Sequence, residues 1–260
     1  MAYETIRTAR DSDVLTITLN RPERLNAAPP QMFEEIGAAL DDLGGARALL
    51  FIGEGRAFCS GADLAGRVDP GVDPAQATWE ALSHSYNPTM AKLSMLDVPV
   101  VSAVRGPAAG IGCSLALAAD FCIVSNTAYF LQAFVNIGLV PDGGASWMLP
   151  RLIGKARATE MMMLGERIPA DKALDWGLVH KVVDDAALEA EAKALAARLA
   201  AGPTRALGAM RRNLMRALES DYPTALGREA DEQREMRRTE DSREGAIAFL
   251  QKRKAAFTGK

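Results

Sequence analysis

Short apolar runs of strand length, each closing on a glycine turn and passing into a helical pattern, recur at intervals of roughly 50 residues. Residues 48–52 form one such run and end at Gly53. Residues 98–104 form a second, followed by a glycine-rich turn and a helix of small residues over 113–119. Another strand, over 121–124, comes next. Units of this kind bury their apolar faces only by stacking on one another, so the spacing predicts an α/β fold of repeated β-β-α units around one core. Before them, residues 5–7 and 14–20 read as a hairpin, with Leu15, Ile17 and Leu19 alternating toward one face. Met32, Phe33, Ile36 and Leu40 then recur at helical spacing until Gly44-Gly45. From Ala186 onward the pattern is helical, with Leu207, Met210, Leu214 and Leu218 on one stripe and Pro223 placed to open a further helix. The expected organisation is one continuous domain, a spiral core over 1–190 and a helical region over 191–260. Mixed-sign charges over 228–244 suit a solvated helical face, and helices packed on a neighbouring subunit would look the same.

Composition narrows the class. Thirty Lys and Arg residues against 33 Asp and Glu give a net charge of −3, with 48% apolar and 24% charged residues in 260. That argues against disorder and against a broad nucleic-acid footprint. Cys59, Cys113 and Cys122 are odd in number and lack a Cys-x-x-Cys pair, which supports neither a disulfide framework nor a zinc ribbon and favours a reducing compartment. His84 and His180 stand in no zinc-ligand spacing, and neither is assigned a role. A Ser-His-Asp triad stays open but unsupported. Residues 1–10 lack the apolar core of a secretory signal, so a cytoplasmic location is expected. Residues 121–141 carry no charge, but Ser125, Asn126, Thr127, Gln132 and Asn136 interrupt them too often for a membrane span. They read as buried core. Residues 66–74, with Gly66, Pro70, Gly71 and Pro74 as turn signals, read as a mobile surface loop and a candidate lid.

Two glycine-bearing segments carry most of the chemical signal. One runs over 57–64 and includes Cys59-Ser60-Gly61-Ala62-Asp63-Leu64; the other runs over 106–114 and includes Gly110-Ile111-Gly112-Cys113-Ser114. Each puts backbone N–H groups in a turn at the end of a strand, and the second adds a helix N-terminus, where free N–H groups favour negative charge. A dinucleotide fingerprint is not met, because Leu115 stands where the third glycine belongs and no acidic residue closes a second strand. Packing alone explains a single glycine pair before a helix. The pair of segments raises the functional reading.

These segments, with Leu19-Asn20-Arg21-Pro22, Leu25-Asn26-Ala27, residues 99–120, Gly138-Leu139-Val140-Pro141-Asp142-Gly143-Gly144, Leu174-Asp175-Trp176-Gly177-Leu178-Val179 and residues 244–257, resemble the crotonase superfamily, the enoyl-CoA hydratase/isomerase family, over essentially the whole chain. Residues 128–150 with Arg151 are similar to its ring-1,2-epoxyphenylacetyl-CoA isomerase branch. The resemblance implies a crotonase-like spiral of β-β-α turns with a C-terminal helical region, assembled as a homotrimer or a dimer of trimers. It implies an acyl-CoA thioester as substrate, with coenzyme A entering as part of that substrate and no further cofactor or metal. It also implies an enolate stabilised by two backbone N–H groups, here those of Ala62 and Ile111. Gly61, Asp63, Leu64 and Gly110 flank those donors. Ile111 stands where many relatives have glycine, which leaves the hole possible and narrows the pocket.

The departures carry as much information. Hydratases of the family position water with two glutamates, and this chain has Ser114 and Phe134 at the matching positions. Neither accepts a proton near neutral pH, so two-glutamate hydration is disfavoured. Asp142 matches the position from which isomerases supply their acid. As a residue before Gly-Gly it is also a good helix N-cap with no chemistry required. In the implied mechanism the thioester oxygen sits between the two N–H groups. Asp142 removes a proton at the adjacent or γ carbon and returns it two carbons away. Arg24, Leu25 and Ala27 match the segment near the adenine and pyrophosphate, while Phe249 and Lys252 match positions that reach the coenzyme from a neighbouring subunit. Lys252-Arg253-Lys254 is the densest basic cluster and suits phosphate; a solvated helix end would read the same. Three classes follow. The favoured one is an acyl-CoA isomerase using Asp142. The second is another crotonase enzyme, such as a weak hydratase, a thioester hydrolase or a dehalogenase-like catalyst with Asp142 as nucleophile. The third is a non-catalytic CoA- or RNA-binding protein, its RNA version weakened by the near-neutral charge.

Overall fold

The computed structural model describes residues 3–64 and 71–260, which form a six-stranded and a three-stranded sheet. The chain opens with the hairpin β1 (Ile6–Asp11) and β2 (Val14–Leu19), passes through α1 (Pro30–Asp41) and returns as β3 (Ala48–Gly53). α2 (Pro74–Ala81), a π-helical turn over Leu82–Tyr86 and α3 (Asn87–Ser94) follow without a break. Two full turns of the spiral come next: β4 (Val100–Val104), β5 (Pro107–Ala109) and α4 (Ile111–Leu117), then β6 (Phe121–Ser125), β7 (Tyr129–Leu131) and α5 (Ala145–Leu164). β8 (Ile168–Pro169), α6 (Ala170–Asp175) and β9 (Lys181–Val183) close the sheets. The helices α7 (Leu188–Ala200), α8 (Thr204–Ala217), α9 (Tyr222–Met236) and α10 (Glu240–Leu250) complete the chain.

The larger sheet runs β1-β2-β3-β4-β6-β9 and is parallel except for the opening hairpin. The smaller runs β5-β7-β8. Each turn therefore lays one strand in each sheet before its helix. A bridge between Cys59 and Ala108 joins the segment after β3 to the smaller layer as well. Alternation along β2 decides the core: Leu15, Ile17 and Leu19 pack with Met32, Phe33 and Ile36 of α1, while Val14 faces a second cluster. In that second cluster Leu188, Ala192, Ala196 and Ala200 of α7 lie on Leu50, Val101, Ala103 and Ile123. Alanines four residues apart make one flat face, and the helix sits close to the sheet. A division drawn at residue 190 passes through this helix, whose apolar face closes the second core.

Three expectations change. α4 starts at Ile111 rather than at Cys113, because Gly110 turns the chain into the helix two residues early. Residues 121–141 are not uniformly buried: Val135, Ile137, Leu139 and Val140 are exposed, the last at 81%. They sit on and after a 3-10 turn over Ala133–Ile137, which carries them off the smaller sheet. The stripe Met210, Leu214 and Leu218 also faces outward, and α8 buries Thr204, Gly208, Ala209 and Arg211 instead. Of the expected 66–74 loop, residues 66–70 lie outside the described residues, and Pro74 already opens α2. All three cysteines are free and buried. Among the described residues no helix is long and apolar enough to cross a membrane, and no cluster of three His, Cys, Asp or Glu side chains could hold a metal ion.

Candidate active site

The two glycine segments meet because a parallel bridge zips them to each other, and a second ties the first of them to Ala28. The Cys59 N–H donates to the Pro107 carbonyl at 3.0 Å, and the Ala109 N–H donates to the Cys59 carbonyl at 2.9 Å. On the other side, the Ala28 N–H donates to the Gly61 carbonyl at 2.8 Å and the Ala28 carbonyl accepts the Asp63 N–H at 3.0 Å. Ala28 thus uses the groups on both sides of Ala62, and strand alternation turns the N–H of Ala62 itself away from Ala28. Gly110 has φ 52° and ψ −127°, a conformation closed to side-chain-bearing residues. A Cβ there would also stand 3.7 Å from the Cα of Gly61 and 3.5 Å from the Phe134 ring. The next residue, Ile111, opens α4, where no preceding turn offers a carbonyl. Neither the Ala62 nor the Ile111 N–H has a partner among the described residues. Two unspent donors therefore lie on neighbouring turns.

Asp142 is delivered to these turns by the loop before α5. Ser114 Oγ donates to its backbone carbonyl at 3.0 Å. Gly143, at φ 59°, lies so close to α4 that a Cβ would fall 2.4 Å from Ile111 Cδ1 and 2.8 Å from Ser114 Cβ. Among the described residues the Asp142 Oδ1 is buried with no hydrogen-bond partner, and burial pushes the carboxyl up from 3.8 to about 6. The capping alternative fails: the N-cap of α5 is Gly144, which makes no side-chain cap, and Asp142 contributes only its carbonyl, to the Ala145 N–H at 3.1 Å. Tyr86 is a neighbour of this carboxylate. Burial chiefly, and then the Asp142 charge, push its phenol above the ordinary range.

The rim is built by the segment after β2. Leu25 and Asn26 both take left-handed backbone, at φ 52° and 54°. Asn26 is held there by its fully buried side chain, whose Nδ2 donates to the Glu54 and Ala57 carbonyls at 3.0 and 2.8 Å and whose Oδ1 accepts the Arg21 N–H at 2.8 Å. Ala27 donates its N–H to the Arg24 carbonyl at 3.0 Å, and Ser60 donates to the Leu25 carbonyl at 3.0 Å. Asp63 pairs with Arg21 at 2.8 Å and lies 3.9 Å from the half-exposed Arg24. Leu64 points outward, 74% exposed. Phe249, one residue before the end of α10, is exposed, and Lys252 follows the helix in left-handed backbone. The Lys252-Arg253-Lys254 cluster is weaker than its sequence suggests. Arg253 is taken by both carboxylate oxygens of Glu244 at 2.6 and 2.8 Å, which holds Glu244 down to about 2.

Beside Gly143 and Gly144 lies a cavity of about 470 Å³, walled by Met90, Leu117, Trp147 and Met148 and ending on Asp120 and Arg211. Its size falls within the about 300–1,000 Å³ of small-molecule sites. Sequence reasoning singled out Asp142, Ala62, Ile111, Ser114 and Phe134, and the structure places them on adjoining turns. It missed Ala28, Tyr86 and this cavity. The available signal for Tyr86 was Pro88 inside an otherwise helical run, since a proline there forces a local change of helix.

A two-layer β-β-α spiral, with two free backbone donors and one buried carboxylate at the meeting of its turns, defines a class of enzyme scaffold. Residues 9–260 match the enoyl-CoA hydratase/isomerase sequence family, and the chain belongs to that family. It is 43% identical over 256 residues to 1,2-epoxyphenylacetyl-CoA isomerase of Escherichia coli K12, covering 96% of this chain and 97% of the relative. It is 42% identical over 261 residues to a probable enoyl-CoA hydratase of Rhodobacter capsulatus, covering 100% of both. Among solved structures, enoyl-CoA hydratase from Bacillus anthracis superposes with a TM-score of 0.92 at 31% identity, over 99% of this chain and 100% of that one. The crotonase-like α/β spiral expected from the sequence is the fold of this chain.

Proposed function

We propose that the protein is an acyl-CoA isomerase in which Asp142 is the single acid-base group. The observation that carries this reading is the buried, unpartnered Oδ1 of Asp142, in a carboxyl raised to about 6, beside two free backbone donors. The thioester oxygen of a 3-enoyl-CoA accepts hydrogen bonds from the N–H groups of Ala62 and Ile111. Those donors stabilise the negative charge that develops when the C2 proton leaves. Asp142 takes that proton, the electron pair spreads over the dienolate, and the same carboxylic acid returns the proton to C4. The double bond moves from C3 to C2 with no water added and no atoms lost. One carboxylate on one face suffices, whereas hydration also requires a group to hold water, and Ser114 and Phe134 supply no carboxylate for it.

The 43% identity to a relative named 1,2-epoxyphenylacetyl-CoA isomerase favours a second substrate for the same site. In it Asp142 assists opening of a ring epoxide, with the ring in the cavity against Trp147 and Met148. For the coenzyme, Arg24, Leu25 and Ala27 form one side, and Phe249 and Lys252 reach it from a second copy in a trimer or a dimer of trimers. The test is direct: incubate the protein with a 3-enoyl-CoA and with a 2-enoyl-CoA, and follow double-bond migration and 3-hydroxyacyl product. Migration without hydration is expected, and rapid hydration of the 2-enoyl substrate overturns the isomerase reading.

A further inference from the structure

We propose that Tyr86 is a positioning residue that fixes the Ala62 donor by holding the carbonyl of Ala28. Ala28 grips both neighbours of Ala62, so any shift of Ala28 re-aims the N–H between them. Its carbonyl has two lone pairs, and both are used: one by the Asp63 N–H at 3.0 Å, the other by the Tyr86 hydroxyl at 2.9 Å. Both partners are buried, Ala28 fully and Tyr86 to all but 5%.

The local sequence explains how a side chain from a distant helix comes to that carbonyl. Pro88 has no N–H and its ring cannot sit against a regular preceding turn, and the helix answers with the π turn over Leu82–Tyr86, where the Asn87 N–H reaches back to the Leu82 carbonyl. Tyr86 is the last residue of that turn. The residues on either side are strapped to α1: Ser85 Oγ donates to Glu34 Oε1 at 2.6 Å and Thr89 Oγ1 to the Phe33 carbonyl at 2.7 Å. The Tyr86 ring meets the Phe33 ring edge-on, with centroids 4.8 Å apart. Since α1 begins at Pro30, two residues after Ala28, one rigid block carries both ends of the Tyr86–Ala28 hydrogen bond. The hydroxyl proton is committed to a carbonyl, so Tyr86 acts on the geometry of the hole and not as an acid or base.

This inference rests on the acyl-CoA reading, and the test separates the two. In Tyr86→Phe, kcat for a 3-enoyl-CoA should fall about tenfold, a fraction of the loss on deleting an oxyanion donor. KM should stay within about twofold, as for an interaction made mainly in the transition state. The acid limb of the pH profile, set by Asp142 at about 6, should not move. The decisive readout is the infrared carbonyl band of bound octanoyl-CoA labelled with carbon-13 at the thioester: lowered in the wild type, and less lowered in Tyr86→Phe. Phe33→Leu, which loosens the same packing but keeps the hydroxyl bond, should lower the melting temperature and leave the band in place. An equal band in wild type and Tyr86→Phe overturns the proposal alone, as does a fall in activity that Phe33→Leu reproduces together with the band shift. A wild-type protein whose bound thioester band is not lowered overturns the acyl-CoA reading, and the proposal with it.

Discussion

At Asp142, chemistry and stability pull in opposite directions. Burial raises its carboxyl from 3.8 to about 6, and its Oδ1 has no hydrogen-bond partner among the described residues. A base must be ionised, so kcat for isomerisation should climb with pH through about 6 and level off above it. Between the two values the folded protein holds a proton that the unfolded chain has lost, so stability is greatest below pH 4 as far as this group is concerned and falls as pH rises through about 6. Asp142→Asn should therefore lower kcat by about 10²–10⁴-fold. Calorimetric titration should show acyl-CoA binding retained. In thermal melts the variant should exceed the wild type by about 1–3 kcal/mol at pH 8, with the margin shrinking toward pH 4. A variant with full activity returns Asp142 to a structural role. Its neighbour makes a smaller prediction. Ser114→Ala removes the hydrogen bond to the Asp142 carbonyl, costs about 1 kcal/mol in urea denaturation and lowers kcat several-fold by loosening the loop. The sequence motif already placed a carboxylate at 142. What it left undecided was cap against base, because that turns on the backbone of Gly144, which takes the cap position at φ 84°.

Elements were legible where burial is simple and obscure where it is not. The runs at 48–52 and 98–104 became β3 and β4 almost residue for residue, since a fully buried parallel strand is a short continuous apolar run. The start of α4 was placed two residues late because its boundary depends on one dihedral pair at Gly110 rather than on any pattern of side chains. That boundary matters chemically, as it makes Ile111 the first free N–H of the helix. Gly110→Ala should cost about 1–3 kcal/mol of backbone strain. It should also depress kcat more than KM, because the turn relaxes by re-aiming Ile111; equal kcat in a variant that has lost the stability would detach the turn from catalysis. The π turn at Tyr86 was illegible for a related reason. Pro88 announces an irregularity in the helix but does not say which side chain the irregularity will aim.

Across the whole molecule, the helical region is tied to the spiral by the apolar face of α7 and, beyond it, by buried polar contacts of α8. Arg211 of α8 is buried, with its Nε 2.8 Å from both oxygens of Asp120 and its Nη1 on the Ser94 and Leu96 carbonyls at 3.1 and 3.3 Å. Burial pushes the Asp120 carboxyl up in spite of that guanidinium. Removing one partner strands the other, so Arg211→Met should cost about 3–5 kcal/mol, and adding Asp120→Asn should recover part of it in a double-mutant cycle. The same pair floors the cavity beside Gly143 and Gly144, which joins the docking of α8 to the loop that carries Asp142. Outside this contact the region presents apolar side chains to solvent: Met210 at 58%, Leu214 at 72% and Leu218 at 51%, with Val140 at 81% on the spiral. Helical spacing alone could not distinguish such an exposed stripe from one packed inside its own chain. If a trimer covers these side chains, sedimentation at micromolar concentration should give a species of three or six chains. Leu214→Glu should shift it toward the monomer, with loss of acyl-CoA affinity wherever Phe249 and Lys252 reach the coenzyme across the interface. A wild-type monomer that binds acyl-CoA at full strength would remove those two residues from the site and leave the coenzyme to Arg24, Leu25 and Ala27 of the same chain.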